Sequence, residues 1–333
     1  MSDHMVGLTA PEIGGLWSTY ISESMSICMS KHMLKYLDEG DIKSIVSDSL
    51  NLSESRLKEI RDIFTKEKFP IPTGFTDDDL DLSAPNLFLN YFPLSFVYSM
   101  SSLSVDSFAW RVTGMAREDV RMFFSNCLNS SYELFDKAIR LSIHMGTYDR
   151  PAFIPYPDHV EFLTQREPFL SKFFESERPL NVLELTEIFF TIERNYFGLI
   201  LLTGFIQIVK DEEIKKYLIK GKELTKKQIV FLNNILMKED LPQVSMVNTE
   251  ISTSTISPFS EKLILNLVTI LNSTSLTFLG HALSATARFD LTMEYSKLII
   301  EIMQYGKKGM DLLIDRKWFE EPPHAPNRKK LAE

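Results

Sequence analysis

The sequence predicts an all-α chain of two tandem four-helix bundles joined by a proline-rich linker. Three observations predict it. One half of the chain repeats the other at an almost constant offset, apolar residues recur at helical spacing, and each half holds one long connection among short ones. Leu8 to Pro70 lies over Leu180 to Pro242 without a gap, a shift of 172. Glu12 then falls on Glu184, Ile42 on Ile214, and Lys66-Glu67 on Lys238-Glu239. After one adjusted loop residue the shift is 171; Phe88 meets Phe259, Ala116-Arg117 meets Ala287-Arg288, and Asp119 meets Asp290. Matches spread over both halves at one offset mark a duplication.

The first helix of each copy opens at a capping box, Thr9 with Glu12 and Asn181 with Glu184, and runs to about Asp38 and Lys210. The second runs from about Asp41 to Lys68 (Glu213 to Lys238), with Ile42, Val46, Leu50, Leu57, Ile60 and Phe64 on one face. The third follows Ala84 in one copy and Ser257-Pro258 in the other. Pro93 is expected to kink it, whereas the second copy has Ile264 there. The fourth starts near Arg117 (Arg288) and ends near Gly146 in the first copy. The expected units are 1–150, a linker at 151–179, and 180–333. Arg150-Pro151, Pro155, Pro157 and Arg178-Pro179 rule out a continuous helix between the copies, though Asp158 to Gln165 could form a short one. The linker aromatics Phe153, Tyr156, Phe162, Phe169, Phe173 and Phe174 are expected to pack on the bundles.

Connection lengths decide the topology. Helices one and two, and helices three and four, are joined by a few residues and so form antiparallel hairpins. Between helices two and three lie the 15 residues Phe69 to Ser83, which reach roughly 50 Å when extended. A helix over Asp41 to Lys68 is about 42 Å long. The connection can therefore run the length of the bundle, and Leu241 to Ile256 repeats it. One long crossover between two hairpins is the ferritin-like connection.

The totals narrow the function classes. A hydrophobic share of 44% with 24% charged residues is that of a folded globular chain. The formal net charge of −9 disfavours nonspecific binding to nucleic acid or anionic lipid. Cys28 and Cys127 stand alone, which fits a reducing compartment. The most apolar segment, Tyr196 to Val209, is shorter than the roughly 20 residues a membrane span needs, so a core helix is expected there. With no basic and apolar leader at the start, the expected location is cytoplasmic, or a site reached without a signal.

Several stretches resemble an uncharacterised family of tandem four-helix proteins from spore-forming bacteria. They are Leu8-Thr9-Ala10-Pro11-Glu12-Ile13 with Leu16-Trp17, Phe69 to Thr76, Tyr148 to Pro157, Ser254 to Ser260, and Phe319 to Pro323. The resemblance covers nearly the whole chain. That family is grouped with ferritin-like folds and labelled similar to spore coat protein F. The resemblance implies the fold and a place in or near the spore coat, and brings no activity, cofactor or site residue.

A ferritin-like bundle raises the question of a carboxylate-bridged metal pair, which needs Glu on two helices and Glu-x-x-His on the other two. Only His324 has a glutamate three positions earlier, Glu321, and Pro322-Pro323 keep that motif off a helix. Glu59-x-x-Asp62 and Glu133-x-x-Asp136, with Glu23 and Asp106, could be drawn as an all-oxygen site. Glu59 and Asp62 fall beside the solvated side of their helix, however, so surface charge is expected. The run Asp77-Asp78-Asp79-Leu80-Asp81 starts like a calcium loop but has Phe88 at its twelfth position, where glutamate is needed. A solvated crossover, capped by Ser83, is the expectation there. Cys28 and Cys127 read as buried small hydrophobes, and His32 and His281 as histidines satisfied by hydrogen bonds. Arg117 and Asp119, with Arg288 and Asp290, open the fourth helices and read as structural.

No catalytic, cofactor-binding or metal-ligating residue is assigned. The leading expectation is a non-catalytic structural or interaction protein, self-associating or bound to a protein partner. The alternative is a divergent ferritin-like metal-binding or oxidase-type protein. A third class, a binder of small apolar ligands between helices, is suggested by the many Phe and Met residues.

Overall fold

The computed structural model describes residues 7–160, 162, 178–245, 251–328 and 331. Its long helices are α1 (Ala10–Lys35), α2 (Asp41–Lys66), α3 (Phe92–Val112), α4 (Glu118–His144), α5 (Val182–Ile208), α6 (Glu212–Lys238), α7 (Glu261–Ala285) and α8 (Phe289–Asp315). Among the described residues there is no strand beyond two isolated bridges. Consecutive helices pack as the hairpins α1/α2, α3/α4, α5/α6 and α7/α8. The first two hairpins meet along α1–α3 and α2–α4, the last two along α5–α7 and α6–α8. Two tandem four-helix bundles result. α2 and α6 even end alike: Lys68 and Asp240 adopt left-handed backbone, and Phe69 and Leu241 each return an amide to the carbonyl five residues back, at 2.9 Å.

A buried carboxylate fastens one end of each bundle. Glu12, fully buried, accepts the amide of Thr9 at 2.7 Å and the amide of Arg117, at the start of α4, at 2.7 Å. The Arg117 guanidinium then reaches Glu67, just beyond α2, and Asp119, both at 2.7 Å. In the second bundle Glu184 accepts the amides of Asn181, Ala287 and Arg288 at 3.0–3.1 Å, while Arg288 grips Glu239 and Asp290. The first, second and fourth helices are thus tied at one point in each copy.

The third helix starts later than its sequence suggested. Residues 85–89 are not helical, because Leu87 and Phe88 are drawn into a junction between the bundles. Asn90, in left-handed backbone, turns the chain into α3, and Pro93 sits in the first turn, where no amide donor is needed. The expected kink is therefore a helix start. At the junction the two crossovers pair: Leu80 bridges Phe259, and Phe88 bridges Ile251. At the repeat offset of 171, Leu80 corresponds to Ile251 and Phe88 to Phe259. Each bridge is therefore the other turned about a two-fold axis. Asp81 donates to the Pro258 carbonyl at 2.8 Å and Ser252 to that of Leu87 at 2.9 Å.

One apolar core runs from the inner ends of α1 and α2 through the junction into the second bundle. A separate cluster around Tyr20, Ile60, Phe64 and Phe124 fills the outer end of the first bundle. Phe88 stacks on Phe92 at 4.0 Å and lies against Gly204, where a Cβ would stand 2.7 Å from the ring. α7 is long and apolar enough to cross a membrane by length and composition; half of its most apolar window is buried here, packed on α5 and α8. The linker departs from expectation: Phe153, Tyr156 and Phe162 are each at least 79% exposed. Phe169, Phe173 and Phe174, and most of Asp158 to Gln165, lie outside the described residues.

Two outcomes follow from these contacts. Replacing a mid-helix glycine by alanine ordinarily adds up to about 1 kcal/mol of stability. Gly280→Ala, with open space at its Cβ, should raise the melting temperature, by roughly 2 °C. Gly204→Ala should lower it, because the Phe88 ring is held by Phe92 and cannot retreat. Burial pushes the Glu184 carboxyl up, but hydrogen bonds from Arg178 and from the Asn181 and Ala287 amides outweigh it and hold the group at about 2, against 4.5 when free. A depressed carboxyl adds stability above its unfolded value and loses it as pH falls through the folded one. Glu184→Gln should therefore cost on the order of 3 kcal/mol at neutral pH, and the gap to wild type should close between pH 4.5 and 2 in urea titrations.

Candidate functional site in the bundle centres and the cavity between them

The centre of a four-helix bundle is where side chains from all four helices can converge. In the first bundle that place is taken by Arg56 of α2. Its guanidinium pairs with Glu23 of α1 at 2.9 Å and donates to the Cys127 carbonyl, Ser130 and Ser131 of α4 at 2.8–3.1 Å. It also lies over the Phe108 ring of α3, 5.1 Å from its centroid. A planar guanidinium suits this role, since its donors fan out in one plane toward several acceptors. At the offset of 172, Glu23 becomes Asn195 and Arg56 becomes Gln228. These two also touch: Asn195 donates to the Gln228 side-chain oxygen at 3.1 Å. The same position is ionic in one bundle and a neutral amide pair in the other.

The carboxylates considered from sequence do not assemble. Glu59, Asp62 and Glu133 are exposed, and Asp136 pairs with Arg140 at 2.8 Å. Glu23 points inward but is engaged by Arg56, and Asp106 lies on a different wall, 3.9 Å from Arg194. Glu321 and His324 form an exposed pair at 2.9 Å. In the acidic run, Asp77 pairs with Lys31 at 2.6 Å, Asp79 accepts from Thr76 and Ser260, and Asp81 accepts from Ser83. Among the described residues no three His, Cys, Asp or Glu side chains are grouped to hold a metal ion.

Cys28 and Cys127 are buried, and burial pushes both thiols up to about 12, which makes them poor nucleophiles. His281 meets Glu187 at 3.0 Å on the surface. His32 differs from expectation. It is buried, and neither ring nitrogen has a hydrogen-bond partner among the described residues; the ring packs edge-on against Tyr36 and Phe259, at 5.4 and 5.2 Å. Burial pulls its pKa down to about 4, so it stands as a neutral aromatic ring. The repeat explains its place: His32 corresponds to Gly204, and each meets the equivalent phenylalanine of the other crossover.

The feature that sequence reasoning missed is a cavity of about 410 Å³ where α3 and α4 approach α5, extending among the helices of the second bundle. Phe135, Phe190, Phe197, Leu201, Leu271 and Phe278 supply apolar wall. The charged groups of the lining are Asp106, Glu193 and Arg194. Arg194 lies over Phe278, 3.4 Å from the ring centroid. Glu193 is pushed up by burial, against a favourable interaction with the Tyr98 hydroxyl, and burial beside Glu193 raises Tyr98 in turn. Six helices separated widely in sequence build this wall, so no local spacing marks it; the polar residues Asn195, Gln228 and Asn272 inside apolar helix faces are its one sequence trace.

The family described as protein of unknown function (DUF3231) matches the chain at residues 1–160 and again at 168–331. No curated protein matches. A solved structure from Bacillus halodurans C-125, provisionally described as a spore coat protein, is similar over 47% of this chain and 98% of its own, at 16% identity and a TM-score of 0.38.

The pairing at the bundle centres can be tested by exchange between them. Arg56→Leu leaves the Glu23 carboxylate buried without its partner and should cost about 3–5 kcal/mol in chemical denaturation. Importing the second bundle's pair, Glu23→Asn with Arg56→Gln, should cost markedly less than the single change, with a double-mutant cycle reporting the coupling.

Proposed function

We propose, on the premise that the chain belongs to the DUF3231 family across both of its halves, that it is a non-catalytic structural or interaction protein. The observation that carries this reading is the Arg56 guanidinium at the centre of the first bundle, with the Asn195–Gln228 amide pair at the equivalent place in the second. A ferritin-like bundle would aim metal ligands at that point. A cationic side chain there is the wrong charge for a metal site, and carboxamides without carboxylates are weak ligands. The residues present do not fit a carboxylate-bridged metal pair. Buried, protonated thiols and a neutral, apolar-packed His32 further support a chain that offers no activated nucleophile or base.

On this reading, units 1–150 and 180–333 act as one body, with 151–179 between them. The partner is a protein, or a second copy, rather than nucleic acid, since the net charge is −9. Exposed Phe153, Tyr156 and Phe162 in the linker are apolar groups such a partner could cover. The proposed location is cytoplasmic, with deposition in the spore coat resting on the sequence resemblance alone.

Purified full chain, incubated with iron or manganese and desalted, should retain substantially less than one metal ion per chain by elemental analysis. Stoichiometric retention, lost on replacing Glu59 or Glu133 by Ala, would overturn this reading in favour of the metal-binding alternative.

A further inference from the structure

We propose that the cavity between the bundles is a binding site for a small, uncharged, apolar molecule carrying a hydroxyl group, an alcohol or a phenol. Its volume of about 410 Å³ is within the range of sites that enclose small organic molecules. Its wall is dominated by aromatic and aliphatic side chains, which requires an apolar body.

Charge selects against ions. The lining carries one cation, Arg194, beside two acids, Asp106 and Glu193. A ligand carboxylate would be brought toward both acids, and a ligand ammonium toward Arg194. Arg194 already faces Asp106 at 3.9 Å and Glu193 is engaged by the Tyr98 hydroxyl, so an ion of either sign lacks a free counter-charge, and burying an unmatched charge is costly.

The polar groups select a hydroxyl. Gln228 is 2% exposed and Asn272 is 7% exposed, and both line the cavity. The Gln228 oxygen is taken by Asn195, which leaves its amide nitrogen without an acceptor among the described residues. Asn272 donates to the Ile302 carbonyl at 3.3 Å, which leaves its side-chain oxygen without a donor among the described residues. The cavity thus presents a free donor from Gln228 and a free acceptor from Asn272, both deeply buried, beside the buried Tyr305 hydroxyl, which also has no partner among the described residues. A hydroxyl accepts from the first and donates to the second, whereas a ketone or ether serves only the donor. In the first bundle the equivalents of Gln228 and Asn195 are the Arg56–Glu23 ion pair, which fills its own centre; the site therefore belongs to the second bundle and the face it presents to α3 and α4.

The test is calorimetric titration and thermal melting of the full chain with thymol, with p-cymene (thymol without its hydroxyl), and with octanol, octanoate and octylamine. Thymol, octanol or both should bind and raise the melting temperature; which of the two does so separates an aryl from an alkyl body. p-Cymene should bind about tenfold more weakly than thymol, the usual worth of a hydrogen bond to a buried group. Octanoate and octylamine should bind more weakly than octanol. Gln228→Leu and Asn272→Leu should each bring thymol toward the p-cymene affinity, and Leu271→Trp, which fills the cavity from an apolar wall, should abolish both. Equal affinity for thymol and p-cymene, a preference for either charged probe, no binding by any probe, or unchanged thymol binding in Leu271→Trp would each overturn the proposal. The comparison of thymol with p-cymene uses the unmodified protein and stands whether or not a variant folds.

Discussion

A carboxylate taken out of water must be surrounded by donors, and the positions of Glu12 and Glu184 decide where those donors come from. Each glutamate caps its own helix and, in the same act, accepts amides from the start of the fourth helix. Those amides would otherwise be orphans of a helix N-terminus. Once the first and fourth helices are joined in this way, the arginine that opens the fourth is aimed at the glutamate that follows the second. A single residue therefore sets the spacing of three helices at one end of each bundle. The long crossover leaves from this end at Phe69 and runs beside α1, past Ser24, Cys28 and Tyr36.

What lies between the fastened ends is not dictated by them. The two bundle centres share a backbone framework but not a chemistry, and the contrast follows from what surrounds them. Arg56 finds a carboxylate, a carbonyl and two hydroxyls for its terminal nitrogens and an aromatic face for its plane, while its buried Nε has no partner among the described residues. At the offset of 171, Ser130 and Ser131 become Glu301, which pairs with Lys227 at 2.6 Å, and Ile302, so the two hydroxyls that receive Arg56 are not repeated in the second centre. An uncharged pair is what such a place can tolerate. The cavity lies beside it, with Asn195 and Gln228 both in its lining.

Much of the fold was legible because its signals are local or periodic. The repeat offset, the capping boxes at Thr9 and Asn181, and the lengths of the connections each report on neighbouring residues, and helix bounds followed from them within a few positions. The start of α3 was misjudged for a non-local reason: Leu87 and Phe88 pair with a crossover that lies far along the chain, and that pairing overrides helical preference. The spacing of His32 suggests a hydrogen-bonded histidine, since it cannot show that aromatic rings face it from Tyr36 and Phe259. Phe153, Tyr156 and Phe162 were placed inward on hydrophobicity alone, which is a poor guide in a segment whose prolines stop it from presenting one continuous face. Of the site, the sequence singles out Glu23 and Asp106, as members of an all-oxygen cluster that does not form; the pairing with Arg56 and the cavity depend on helices meeting in space.

The two-fold pairing of the crossovers has a consequence for what the chain is free to become. In a symmetric dimer of identical subunits, every substitution near the axis is made twice, and a change that suits one side must be endured by the other. Joined in one polypeptide, the halves keep the geometry and escape that rule. A phenylalanine can face a histidine on one side while its counterpart faces a bare glycine on the other. The tether also holds the halves together at any dilution, so neither must preserve the surface by which it would recognise a copy of itself. One half can then specialise as the rigid member, its centre closed by an ion pair, while the other keeps an unfilled interior.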